Sequence, residues 1–170
     1  MRLLRINHSG KGAAINSGIK MAQGEIVCVL DQADLMVEGR LSRQIMALDE
    51  HPEVEVVYSD YERITERGER IDIFVSRQAS NREMLHAMAC GAGLISMQTM
   101  IIRKATLERL GGFSEDFSLT GLDDGEFFAR LMGSGARLLY VPGIAGRWVC
   151  HEKNYSKSPE FQDARLRFLD

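Results

Sequence analysis

The sequence predicts an α/β fold, a sheet flanked by helices, and three observations carry that expectation. Residues 26–30, Ile-Val-Cys-Val-Leu, are apolar at every position and stop abruptly at Asp31, which suits a strand of a parallel sheet covered on both faces. Segments with helical apolar spacing alternate with such runs, the rhythm of βαβ units. With 45% apolar residues, a chain of 170 can build one core, close to the ~150 residues usual for a domain.

The elements follow in order. Residues 3–6 form a short apolar run read as a strand, and residues 12–21 place Ala14, Ile15, Gly18, Ile19 and Ala22 on one helical stripe that Gly24 ends. After the strand at 26–30, Leu41, Ile45 and Leu48 recur at helical spacing within 38–50, and residues 54–58 read as a strand closing at Asp60. Gly68 lies between two β-prone stretches of 63–76, which predicts a hairpin, and Ser80 caps a helix over 81–89. Residues 97–102 are a strand candidate, and residues 105–110 a short helix stopped by Gly111-Gly112. A helix over 123–132 turns Phe127, Phe128 and Leu131 inward, a strand over 138–141 precedes Pro142, and residues 159–169 form an amphipathic helix.

Composition narrows the function. Lys plus Arg number 21 against 24 Asp plus Glu, a net charge of −3 with the signs interspersed, so nucleic acid is not an expected partner. Cys28, Cys90 and Cys150 are three, widely spaced, without a CxxC pair or a secretory leader, a pattern that predicts free thiols in the cytoplasm. The longest uncharged stretch, 84–102, is interrupted by His86, Ser96, Gln98 and Thr99 and broken by Gly91 and Gly93, so no transmembrane segment is expected.

In open α/β sheets ligands bind beyond the carboxyl ends of the strands, which singles out Asp31, Asp34 and Asp60. Carboxylates gathered there can hold a hard divalent cation; equally, Asp31 and Asp34 can cap a helix or fix a turn. Asp123-Asp124-Gly125-Glu126 opens a helix, where Asp123 as N-cap and Glu126 three residues on would make a capping box. Asp124 is left over and is free to act as a general base. His151 follows the Trp148-Val149-Cys150 run; a histidine there can serve structure or a ligand.

The order of these pieces is specific. HSGKGAAINSGIKMAQGEIVCVLDQAD, HPEVEVVYSD, MIIRKATLERLGGFSED, LDDGEFFARLMGSGARLLYVP and HEKNYS, spread over residues 7–156, resemble the family 2 glycosyltransferases of the GT-A fold. The resemblance implies a partial GT-A, Rossmann-like sheet and transfer of a sugar, with inversion, from a nucleotide diphosphate sugar to a glycan or lipid-linked acceptor. It implies Mg²⁺ or Mn²⁺ on the diphosphate, with Asp31 on the first aspartate of the DxD-type motif and Asp34 as a second ligand. Asp124 falls on the base of the family's ED motif with Asp123 in place of the glutamate, and His151 on a histidine near the metal and diphosphate. Arg103 and the Gly111-Gly112-Phe113 turn would shape the acceptor side.

Three departures accompany the resemblance. Ala33 stands where the family usually has the metal-binding aspartate, and Ile15 where it usually has a basic residue before the asparagine matched by Asn16. The family's opening nucleotide-binding segment has no counterpart, which at about 30 residues per β-α unit amounts to roughly 60 residues. The expectation is therefore one GT-A-like domain over residues 1–170, incomplete at its N-terminus, lying in the cytoplasm or at the inner membrane face. The alternative is a non-catalytic remnant or partner subunit that keeps the acceptor half. A strand at 26–30 stripped of its neighbours should pair with residues 3–6 or with a second copy in a homodimer.

Overall fold

A ten-residue strand, β3 (Val56–Thr65), organises the sheet. In the computed structural model, which describes residues 2–90, 92–116, 121–152, 154, 158 and 161, it pairs on one side with β6 (Leu138–Cys150) in parallel. On the other side it pairs antiparallel with β5 (Ile101–Arg103) and, further along, with β4 (Arg70–Phe74). Two-residue strands close the edges: β1 (Ile26–Val27) lies antiparallel on β5 and β2 (Leu35–Met36) antiparallel on β6. The order is β1-β5-β3-β6-β2, with β4 beside β3. This is a mixed sheet, so the parallel neighbour expected for residues 26–30 is replaced by an antiparallel one.

Helices cover both faces, as the sequence predicts. Along β3, Val57 turns toward α2 (Arg40–Glu50) and packs with Ala47, Leu48, Val54 and Ile101. Val56 and Tyr58 turn the other way. They meet Ile19 of α1 (Gly10–Met21), Met84 of α3 (Asn81–Ala89), Leu107 of α4 (Lys104–Arg109) and Phe127 and Leu131 of α5 (Asp123–Gly133). Period-two alternation also sends Ile26 and Cys28 to the α2 side and Val27 and Val29 to the other, so the run at 26–30 does touch both faces. The hairpin forms with Gly68 at φ 82°, and Ser80 and Glu83 close a reciprocal capping box on α3.

Several expectations are corrected. Residues 3–6 are no strand: Leu3 is 78% exposed, and no described strand pairs the second edge of β1. Residues 97–99 are a 3₁₀ turn, and only 101–103 form a strand. The strand at 138–141 does not stop at Pro142. The ladder slips there, with Tyr58 facing Tyr140 but Asp60 facing Ile144, so Pro142 and Gly143 bulge out where the missing N–H is not needed. Asp60 therefore does not end a strand; buried inside β3, it accepts from Ser76 N (2.8 Å), Tyr140 Oη (2.8 Å) and Gly143 N (2.9 Å) and pins the bulge. The helix predicted at 159–169 lies outside the described residues apart from Phe161.

Two helices bury faces that overlap the apolar stripes only in part, at Ile19 of α1 and Leu48 of α2. On α1 the buried positions are Gly12, Ala13, Asn16 and Ile19, with Ala14 and Gly18 exposed. On α2 they are Arg40, Gln44, Ala47 and Leu48, while Leu41 is 38% exposed. Arg40 donates to Met100 O (2.8 Å), Gln98 O, Ala145 O (3.5 Å), Gln44 Oε1 (3.0 Å) and Cys28 Sγ (3.1 Å), and Gln44 donates to Thr99 O (2.7 Å) and Ser59 Oγ (3.0 Å). The irregular chain at 97–100 leaves carbonyls without ladder partners, and two polar side chains one turn apart supply the donors.

Candidate active site

A cavity of about 930 Å³ opens beyond the ends of β1 and β2, against the first turns of α1 and α5. Its polar side is Lys11, Asp31, Asp34, Asp123 and Asp124; its other wall is apolar, with Leu85 and Met88 of α3, Met97 and Leu122. Tyr61 and Trp148, from adjacent strands, set their rings at the remaining side with centroids 6.3 Å apart, and Phe74 stacks behind Tyr61 at 4.9 Å.

Local structure places each polar group. Lys11 stands in the first turn of α1 between Gly10 and Gly12, and a Cβ on Gly12 would lie 1.9 Å from Ser114 O, so only glycine lets α1 press onto the chain at 113–115. Asn16, one turn on, holds that contact: it accepts from Phe113 N (2.8 Å) and donates to Phe113 O (2.9 Å) and Glu115 Oε1 (2.8 Å). Gly112, at φ 75°, passes so close that a Cβ would meet Asn16 Oδ1 at 2.4 Å. The Gly111-Gly112-Phe113 turn thus clamps α1.

Lys11 Nζ lies 3.0 Å from Asp31 Oδ2 and 3.3 Å from Asp124 Oδ1, so one ammonium joins the two carboxylates from opposite ends of the sequence. Burial alone would lower the Lys11 pKa, but the facing charges of Asp124 and Asp31 outweigh it and hold the ammonium above its ordinary value. Burial raises Asp124 above the usual carboxylate range against the opposing pull of Lys11. Asp34, also desolvated, is pushed up to about 6 although Val149 N donates to its Oδ1 at 3.3 Å.

The remaining predicted residues fall elsewhere or serve the scaffold. Asp123 is buried and accepts from Gly121 N at 3.1 Å, tying down the turn before α5. It is not the N-cap, which is Leu122 without a side-chain cap, and Glu126 completes no capping box. Glu126 instead pairs with Arg130, which also donates to Leu110 O (2.6 Å) and Gly112 O (2.8 Å). Arg103 stands away from the cavity, its guanidinium on Val54 O (2.8 Å) and Leu48 O (2.9 Å). His151 follows β6, its main-chain N–H on Asn154 Oδ1, and Asn154 rather than His151 lines the cavity. Lys11, Tyr61 and Trp148 are the site residues that sequence reading passed over. The signal for Lys11 was there, a lysine between two glycines at a helix start.

The donor set does not fit a resident Mg²⁺ or Mn²⁺. Ala33 offers no side-chain oxygen, Asp34 is engaged by Val149 N–H, and the ammonium of Lys11 fills the space between Asp31 and Asp124. Among the described residues no three His, Cys, Asp or Glu side chains gather, so the chain builds no all-protein cage for a divalent ion.

A mixed sheet between helix layers, with acidic residues beyond the strand ends, defines a GT-A-type α/β domain. The chain belongs to the family described as glycosyltransferase like family 2, whose model matches residues 5–147. A protein of Sinorhizobium fredii (strain NBRC 101917 / NGR234), the uncharacterized y4gI, is 30% identical over 117 residues, 69% of this chain and 12% of that protein. The fold is similar to S. aureus TarS 1-349, at TM-score 0.66 and 19% identity over 98% of this chain and 45% of that one. Its complex with UDP-GlcNAc matches at 0.63 and 20% over 98% and 47%. The chain therefore spans under half the length of these structures and about an eighth of the curated relative. No helix among the described residues is long and apolar enough to cross a membrane.

Proposed function

We propose that this chain carries the catalytic and acceptor-facing part of a glycosyltransferase that moves a sugar from a nucleotide diphosphate sugar to an acceptor hydroxyl. The observation that carries this reading is the meeting of Asp31 and Asp124, 93 positions apart, on one ammonium in one cavity. Similarity to TarS, whose structures include complexes with UDP and UDP-GlcNAc, supports a uridine nucleotide as donor.

In this reading Asp124 takes the proton of the acceptor hydroxyl, a task helped by the burial that raises its basicity. The acceptor oxygen forms the new bond to the anomeric carbon. The bond from that carbon to the diphosphate breaks, and its electron pair leaves with the nucleoside diphosphate. The apolar wall and the Tyr61 and Trp148 rings support a glycan or lipid-linked acceptor that presents an apolar face. Free Cys28, Cys90 and Cys150 support the cytoplasm as its compartment.

Release of UDP from UDP-GlcNAc in the presence of candidate acceptors tests the reading. Asp124→Asn should lower kcat by about 10²- to 10⁴-fold with an unchanged circular dichroism spectrum. Full activity in that variant would remove Asp124 from the chemistry.

A further inference from the structure

Resting on the glycosyltransferase reading, we propose that Lys11 is the resident cation of this cleft: its ammonium fills the place between Asp31 and Asp124 that a divalent ion would otherwise take and meets the donor's phosphates itself. Two carboxylates from separate elements converge on one Nζ, at 3.0 and 3.3 Å. An ammonium has three N–H donors, so two directed at Asp31 and Asp124 leave a third. Lys11 lines the cavity, where that third donor can meet a phosphate oxygen.

The surroundings are consistent with a fixed charge rather than a mobile one. Gly10 and Gly12 flank the lysine, and Asn16 locks the helix that carries it onto residues 113–115. Each of the two carboxylates gives one oxygen to the ammonium, and Ala33 offers no side-chain oxygen to complete a cage between them.

Mn²⁺ is the first probe, followed by electron paramagnetic resonance on the full chain. Wild type and Lys11→Arg should bind Mn²⁺ weakly, whereas Lys11→Met should gain ~10-fold or more in affinity, a gain that Asp31→Asn added to it abolishes. No gain in Lys11→Met overturns the proposal. So does wild-type Mn²⁺ binding that Asp31→Asn removes, a result readable even if Lys11→Met fails to fold. UDP is the second probe, titrated with chelator or with Mn²⁺. Metal-free binding that Lys11→Met weakens ~10-fold or more supports the proposal. Metal-free binding that the variant leaves unchanged overturns it, as does binding that appears only with Mn²⁺, and both outcomes leave the glycosyltransferase reading intact. No binding under either condition overturns the nucleotide-sugar reading and the phosphate role, while the Mn²⁺ titration still decides whether Lys11 holds the cation position.

Discussion

Asn16→Asp is nearly isosteric, yet it should cost ~3 kcal/mol at pH 7. The present carboxamide accepts one hydrogen bond from Phe113 N and donates two, to Phe113 O at 2.9 Å and Glu115 Oε1 at 2.8 Å. An aspartate keeps the first and loses both donations, setting a charged oxygen against a buried carbonyl and a second carboxylate. The orphaned Phe113 carbonyl accounts for ~1–3 kcal/mol, and repulsion from the solvent-exposed Glu115 adds ~1 kcal/mol or less. Urea unfolding measures the sum: with m of ~2 kcal/mol per M, the midpoint falls by about 1.5 M while m stays unchanged. The pH dependence has a definite sign. The introduced carboxyl has a folded pKa above its unfolded value of ~3.9, so the penalty is smallest below that pH, where its one O–H can serve Phe113 O, and grows as pH rises toward the folded pKa. A variant within ~0.5 kcal/mol of wild type at pH 7, or a deficit that does not shrink on acidification, would refute the clamp as the tie between α1 and the chain at 113–115.

Arg40→Met, similar in length but without donors, leaves Met100 O and Gln98 O unsatisfied and should destabilise by ~3–5 kcal/mol in the same urea assay; equal stability would show that these carbonyls find other partners. Asp34, with a folded pKa of about 6, holds its proton more tightly in the folded chain, so its own contribution to stability should fall as pH rises from ~4 to ~6 and then level off. Asp34→Asn should accordingly stabilise by ~1–2 kcal/mol at pH 7.5, less than the full shift because the side chain is partly exposed, and by little at pH 4; a gain independent of pH would refute the assignment.

Much of the fold was legible because its signals are local. The helix cap at Ser80, the hairpin turn at Gly68 and the inward Phe127, Phe128 and Leu131 each depend on residues within a few positions of one another, and all three are present. The pairing of the strands was not legible, since nothing within residues 26–30 says whether the neighbour runs parallel or antiparallel. Pro142 misled for the same reason. A proline ends a strand unless a partner residue pins a bulge, and here the partner is Asp60, 82 positions earlier in the chain. The carboxylate that looked like a ligand at a strand end is the device that lets the strand continue.

The candidate site divides along the same line. Asp31 and Asp124 stood out because an acidic residue after an apolar run, or beside a helix start already supplied with carboxylates, lacks an obvious local use. Lys11 and Arg40 did not, because a lone cation on an amphipathic segment is by default a solvated one, and helical periodicity assigned the inward face to Leu41, Ile45 and Leu48, of which Leu48 is fully buried. What turns Arg40 inward is a row of carbonyls at 98–100 that lack partners, and what fixes Lys11 is a pair of carboxylates from two distant elements. In both places the unpaired acceptors come first and the cation is recruited to them, so the useful sequence signal is the glycine or irregular segment that brings acceptors close. Gly10 and Gly12 around Lys11 are such a signal, because α1 can approach residues 113–115 only where there is no Cβ.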